Sequence, residues 1–405
     1  MSVGLSPPEY LLIVKGVRLA TVAAGIKSNQ QSDLVLLTFD ADTHCAGVFT
    51  RNAFSAAPVI VAKNHLAQTS PRALLINSGN ANAGTGAHGL RNAQQCCALV
   101  ADAIDCAENE VLPFSTGVIG EDLPMGKVEA AIERLLHELA ADAWLQAANG
   151  IMTTDTIAKA FSRGLQLDGT DVTITGIAKG SGMIRPDMAT MLAFVTTDAA
   201  VDSAWLQHCL ESAVDISFNC ITVDGDTSTN DACILAATGA SGCRPLDGNG
   251  ADSEAFQQAI NQVLIQLAQM IVRDGEGATK FVTVTVQSAA TPAEAKQVAY
   301  TIAHSPLVKT AVFAGDPNWG RILAAIGRAG IDDLDIDQVR VYLDEVCIVS
   351  HGGRDPTYTE ARGQQVMEQD EITIRVMLNR GAEQAKIWTS DLSYEYVKIN
   401  AEYRT

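Results

Sequence analysis

KGSGMIRPDMATML, residues 179–192, decides how this chain is read. Its centre is the bond between Ala189 and Thr190. A threonine preceded by a small residue and followed by an apolar run suits a peptide that cuts itself. The Thr190 hydroxyl can attack the Ala189 carbonyl, turning an amide into an ester that water hydrolyses. Cleavage then exposes an α-amine on the residue that carries the hydroxyl. With an ordinary pKa of about 7.7–8.0, that amine can act as base for its own side chain near neutral pH. Met191, Leu192, Ala193, Phe194 and Val195 read as the start of a buried strand, a rigid mount for a nucleophile. The same letters also suit a plain loop entering a strand, so the rest of the chain must carry the distinction.

At 405 residues the chain is long enough for two or three domains. Its 47% hydrophobic content supplies real cores, and 19% charged residues is too few for a disordered chain or coiled coil. A net charge of −19 with no basic run argues against nucleic-acid or anionic-membrane partners. The nine cysteines are an odd, scattered set without a C-x-x-C pair, as expected of reduced thiols in a cytoplasmic protein. Dispersed histidines, with no H-E-x-x-H, give a metal site no support. The opening MSVGLSPPEYLL has no basic segment leading into an apolar core, and no apolar run reaches membrane-spanning length.

β-like runs are expected at 11–14, 34–39, 58–62 and 73–77, between Gly, Asn, Ser and Pro clusters. Helical periodicity follows at 90–106 and 127–148. Strands are expected again at 172–177 and 191–196, and a long helix over 253–272 that stops at DGEGATK (274–280) before a strand at 281–286. Ala289, Ala290, Thr291 and Pro292 read as a linker into a helix capped by Thr291 and Glu294. The domains expected are therefore 1–288 and a smaller α+β part, 289–405, with a helix over 318–328 and strands at 339–343, 371–377 and 386–390. Strands and helices come in runs, which favours a layered α/β sandwich over a doubly wound sheet.

Two motifs mislead. Gly84, Gly86 and Gly89 spell G-x-G-x-x-G, but residues 78–83 separate the strand from the first glycine and no acidic residue closes a second strand. VDGDTSTND (223–231) resembles a calcium loop, yet Thr229 stands where glycine is required. GDPNWGR (315–321) reads as a helix start with Asp316 as cap and Pro317 in the first turn.

Three features fit a self-processed threonine acyltransferase. Thr190 is the first. In STGVIG (115–120), the Thr116 hydroxyl and the unhindered Gly117 N–H adjoin, a pair able to hold an oxyanion. Lys179 and Glu276 place charges in glycine-rich turns, where side chains can face a pocket.

NSGNANAGTG (77–86), STGVIG, MTTDT (152–156), KGSGMIRPDMATML, FNCITVDGDTSTND (218–231), DGEGATK, GDPNWGR and the terminal INAEYRT together resemble the ornithine acetyltransferase family of arginine biosynthesis, in order and over nearly the whole chain. The resemblance implies self-cleavage between Ala189 and Thr190 into fragments of 189 and 216 residues that assemble as a heterotetramer. It implies acetyl transfer from N-acetylornithine to glutamate through Thr190, with no cofactor. Some members also accept acetyl-CoA. Thr116 and Gly117 match the family's oxyanion hole; Thr153, Lys179, Thr190, Glu276, Asn400 and Thr405 match its substrate contacts. The fold implied is an αββα sandwich of the self-processing threonine-nucleophile type, with the C-terminal domain bringing the chain terminus to the active site. Two alternatives remain at this stage: a self-processing aminopeptidase or amidase with water as acceptor, and a binding protein in which Thr190 merely starts a strand.

Overall fold

The computed structural model describes residues 2–185 and 191–402, so Ala189, Thr190 and Thr405 lie outside the described residues. The chain forms two compact units. One comprises Ser6–Asn219 and Asp226–Ile271; the other comprises Met1–Leu5, Cys220–Gly225 and Val272–Thr405. The division thus falls near 272 and not at the linker after 288, because the strand over 281–289 is built into the second unit's sheet.

In the first unit, β1 (Val17–Val22), β2 (Leu34–Phe39) and β3 (His44–Phe49) precede α1 (Ala57–Leu66), β4 (Ala73–Asn80), α2 (Gly86–Ile104) and β5 (Val111–Val118). Next come α3 (Met125–His137), α4 (Trp144–Gly150), β6 (Lys159–Leu167), β7 (Thr170–Lys179), β8 (Leu192–Thr197) and α5 (Ser203–Asp215). The short β9 (Ile221–Thr222) belongs to the second unit, after which the chain returns for β10 (Ala232–Ala237) and α6 (Gly250–Arg273).

Two sheets result, ordered β1-β2-β4-β5 and β3-β10-β8-β7-β6. Strands such as LVLLTF, LAFVTT and ACILAA are apolar almost throughout because both their faces are covered. Leu19, Leu37, Ile76 and Phe114 of one sheet share a core with Ile177, Phe194 and Ile234 of the other. The Phe114 and Phe194 rings meet edge to face at 5.0 Å. Outside the first sheet, Cys97 and Val100 of α2 and Val128 and Leu135 of α3 pack over Leu34, Leu36 and Leu75. Outside the second, α5 lies on β3. There α6 comes so close to β7 that a Cβ at Gly176 would stand 3.0 Å from the Leu267 side chain. The layers are α, β, β, α, the sandwich expected.

Three local expectations fail for identifiable reasons. Residues 58–62 lie in α1, not a strand: Pro58 has no N–H for a ladder and is preset for a helix's first turn, which outweighs the β-branched Val59 and Val61. Residues 11–14 run outside any sheet, the Leu12 amide and carbonyl bonding the Ser162 and Thr175 hydroxyls instead. The helix expected over 127–148 breaks into α3 and α4, because Ala140 exchanges both backbone hydrogen bonds with Leu19 of β1.

The second unit's seven-stranded sheet is ordered β14-β13-β12-β15-β11-β16-β9. Its strands are β11 (Phe281–Ala289), β12 (Arg340–Leu343), β13 (Val346–Ser350), β14 (Gly353–Arg354), β15 (Glu371–Met377) and β16 (Glu383–Ser390), with β9 at the edge. Helix α7 (Pro292–Ala303) packs on β11 and β16. Thr291 caps it, but the Glu294 carboxylate bonds the Ala290 amide and not the Thr291 amide. Helices α8 (Pro306–Phe313), α9 (Trp319–Gly327), α10 (Glu360–Met367) and α11 (Tyr394–Ala401) complete it. Asn318, not Asp316, caps α9 by accepting from the Arg321 amide; Asp316 accepts from Asn318 in turn. Among the described residues no helix is long and apolar enough to cross a membrane.

Candidate active site

STGVIG begins within β5, whose end runs beside β4. The parallel register holds from Ala73↔Val111 to Gly79↔Gly117, then slips, so that Asn80 faces both Thr116 and Val118. Such a bulge re-aims the residues at a strand end. Gly117 has φ +136°, and a Cβ on it would stand 2.2 Å from the Gly79 carbonyl carbon and 2.5 Å from the Asn80 nitrogen. Only glycine fits there, directly after Thr116.

The asparagines of NSGNANAGTG build the support. Asn77 accepts from the Ser115 hydroxyl at 2.6 Å and donates to the Asn80 carbonyl at 2.8 Å. Asn82 donates to the Gly89 carbonyl inside the first turns of α2. Asn230 donates to the Ala81 and Ser115 carbonyls, tying the residue that follows β4 to β5 just ahead of Thr116. The sequence quotes this motif without revealing its purpose, which is to fix the end of β5.

Lys179, the last residue of β7, reaches the Thr116 hydroxyl at 3.3 Å and lies 4.0 Å from Asp155 Oδ2. Asp155 sits in MTTDT, between α4 and β6, with its side chain fully buried. Its Oδ1 accepts from Lys159 Nζ at 2.6 Å and the Gly180 amide at 2.7 Å; its Oδ2 accepts from the Thr153 amide at 2.9 Å. Burial works to raise the Asp155 pKa, but Lys159, Lys179 and the Gly180 N–H outweigh it and hold the carboxyl well below the usual range. Thr153, Lys179, Thr116 and Gly117 all lie in this one unit. Asp155 and Lys159 were not anticipated. The available signal was a lysine inside the apolar run IAKAF, four residues after an acid, since a buried lysine needs a partner.

Thr190 lies outside the described residues, but the residue after it is placed: Met191 Cβ is 3.4 Å from where a Cβ on Gly180 would be, and its carbonyl accepts from the Ala232 amide. Asp231, just ahead of Ala232, is buried, and its Oδ2 has no hydrogen-bond partner among the described residues. Burial pushes its pKa well up, and Ser228 and Lys179 offset this only in part. In the unfolded chain it titrates near 3.9, so its contribution to stability is full below that pH and is lost as pH rises toward the higher folded value. Asp231→Asn should therefore raise the melting temperature at pH 7 more than at pH 4, and equal shifts at the two pH values would contradict this burial argument.

Glu276 and Asn400 come together in the second unit, where Asn400 Nδ2 donates to Glu276 Oε2 at 2.7 Å. Glu276 is buried in the turn between Gly275 and Gly277. Asp391 accepts from the Thr279 and Lys280 amides beyond it, and Ser393, the cap of α11, donates to the Gly277 carbonyl. These bonds tie the DGEGATK turn to the helix carrying Asn400. Burial pushes the Cys96 and Cys209 thiols up to about 12, so neither is poised as a nucleophile.

An αββα sandwich with a hydroxyl, a glycine amide and a lysine gathered at the ends of its facing sheets defines an enzyme of the layered αββα class. The ArgJ family model matches residues 18–405, and the chain belongs to that family. It is 56% identical to the arginine biosynthesis bifunctional protein ArgJ of Methylococcus capsulatus, over 97% of this chain and 96% of that one. With the protein of the same name from Pseudomonas fluorescens it shares 53% identity over the full length of both. A crystal structure of arginine biosynthesis bifunctional protein ArgJ from Bacillus halodurans is similar at 40% identity and a TM-score of 0.51, covering 53% of this chain and all of its own.

Proposed function

We propose that this chain is a glutamate N-acetyltransferase of arginine biosynthesis that carries acetyl on Thr190 between N-acetylornithine and glutamate. The observation that carries the reading is the Lys179–Thr116–Gly117 cluster beside Met191, within a family whose named members belong to arginine biosynthesis. Thr190 Oγ attacks the acetyl carbonyl, and its proton passes through the freed α-amine to ornithine as the amide C–N bond breaks. The glutamate amine then attacks the acetyl ester, and the proton returns to Thr190 as the C–O bond breaks. Thr116 and Gly117 hold the oxyanion of both tetrahedral intermediates. No metal or cofactor is required by this sequence of steps.

Maturation by cleavage between Ala189 and Thr190 belongs to the same reading. Residues 190–405 make up 216 of the 405, a share equal in size to the 53% of this chain that the Bacillus halodurans structure covers. We place the mature enzyme in the cytoplasm as a heterotetramer of two chains of each kind, and infer acetyl-CoA as a second acetyl donor. Ornithine carries a cation and each amino-acid substrate a carboxylate, so Glu276 and Lys179 are opposite-charge partners for the two groups, with Thr153, Asn400 and Thr405 as further substrate contacts. Glu276→Gln should raise KM for N-acetylornithine about tenfold or more, because a charged hydrogen bond becomes a neutral one. An unchanged KM would remove Glu276 from the assignment.

Incubating the purified protein with N-acetylornithine, with and without glutamate, tests the reading. Acetylglutamate and ornithine should form together, only when glutamate is present. Acetate released regardless of glutamate would point to the amidase alternative. Glutamate with acetyl-CoA alone tests the second donor.

A further inference from the structure

Lys179 matches a family substrate contact, yet its ammonium also donates to the hydroxyl proposed for the oxyanion hole. An ammonium has three donors and no acceptor, whereas a threonine hydroxyl has one proton and two lone pairs. In the 3.3 Å contact Lys179 donates and Thr116 Oγ accepts. No described residue accepts Thr116's own proton, so that proton is left for a group arriving at the site. An accepted charge-assisted bond also makes the hydroxyl a better donor.

A lysine side chain is long and entropically costly to hold still, so something must fix Nζ. Asp155 has the geometry for it. Three donors grip this fully buried carboxylate: Lys159 Nζ and the Gly180 amide on Oδ1, and the Thr153 amide on Oδ2. It cannot turn, and the oxygen that Lys159 does not use is the one 4.0 Å from Lys179. Gly180 directly follows Lys179, so the same carboxylate sets both the backbone and the charge of this segment.

Resting on the acetyl-transfer reading above, we propose that Asp155 is a positioning residue that holds Lys179 on Thr116 Oγ and thereby turns the Thr116 proton toward the oxyanion. The interaction matters as negative charge develops on the acetyl oxygen, so its loss appears in kcat and not in substrate affinity.

The test measures glutamate-dependent acetyl transfer by processed enzyme carrying Asp155→Asn, Thr116→Val, or both. Asp155→Asn should lower kcat by about tenfold or more while KM for N-acetylornithine moves less than about threefold. In the Thr116→Val background it should have almost no further effect on kcat, since no hydroxyl remains to be aimed. Should Asp155→Asn not fold, Lys179→Met crossed with Thr116→Val reads the same coupling in kcat, because it leaves the buried Asp155–Lys159 pair intact, and any rise in KM there reports the substrate contact proposed for Lys179. Effects on kcat that multiply independently, or a change confined to KM, overturn the proposal while the transfer reading stands. A wild-type protein without glutamate-dependent transfer overturns that reading, and this proposal with it.

Discussion

Gly117→Ala is expected to lower turnover by about 100-fold or more, the loss of one oxyanion donor being typically worth about 2.7–4 kcal/mol of barrier. The reason is steric before it is chemical. At φ +136° an L side chain is strained, and its Cβ would fall 2.2 Å from a backbone atom of Gly79, which cannot rotate away. The β4–β5 ladder must open, moving the Gly117 amide and the Thr116 hydroxyl together. A melting temperature measured beside kcat separates the effects: the variant should still melt cooperatively, at a lower temperature, while losing most of its turnover. Turnover within threefold of the parent would show that this strand end does not serve the reaction.

Much of this was legible in the chain. Runs such as LVLLTF and ACILAA have no polar face and so demand cover on both sides, which the sandwich supplies. The two-unit division was legible only roughly. Local composition marks the linker at 289–292, but β11 pairs with β15 and β16, about ninety residues later, and pairing across that separation leaves no local trace. At the site, Thr116, Gly117 and Lys179 could be named from residue type and spacing. The Asp155–Lys159 pair left only a weak signal, a lysine in an apolar run four residues after an acid, because two charges in one apolar interior look like ordinary surface residues until burial is known. The asparagine scaffold is hidden for a similar reason. Asn77, Asn80 and Asn82 suit a loop by composition, whereas in the fold Asn77 accepts from Ser115 of β5 and Asn82 donates to Gly89 of α2.

Thr190→Ala is expected to abolish both maturation and transfer. Alanine has no hydroxyl to form the ester with Ala189, and none to carry acetyl afterwards. Thr190→Ser keeps the hydroxyl and should restore cleavage and measurable transfer, which separates missing chemistry from misfolding. The most direct measurement is the intact mass of the purified protein under denaturing conditions, for the wild type and for Thr190→Ala, after incubation with N-acetylornithine. The wild type should appear as fragments of 189 and 216 residues, the larger gaining about 42 Da on acetylation of Thr190; the variant should remain one unmodified chain of 405 residues. A wild type that stays whole, or a Thr190→Ala chain that still divides or takes up acetyl, would contradict the account.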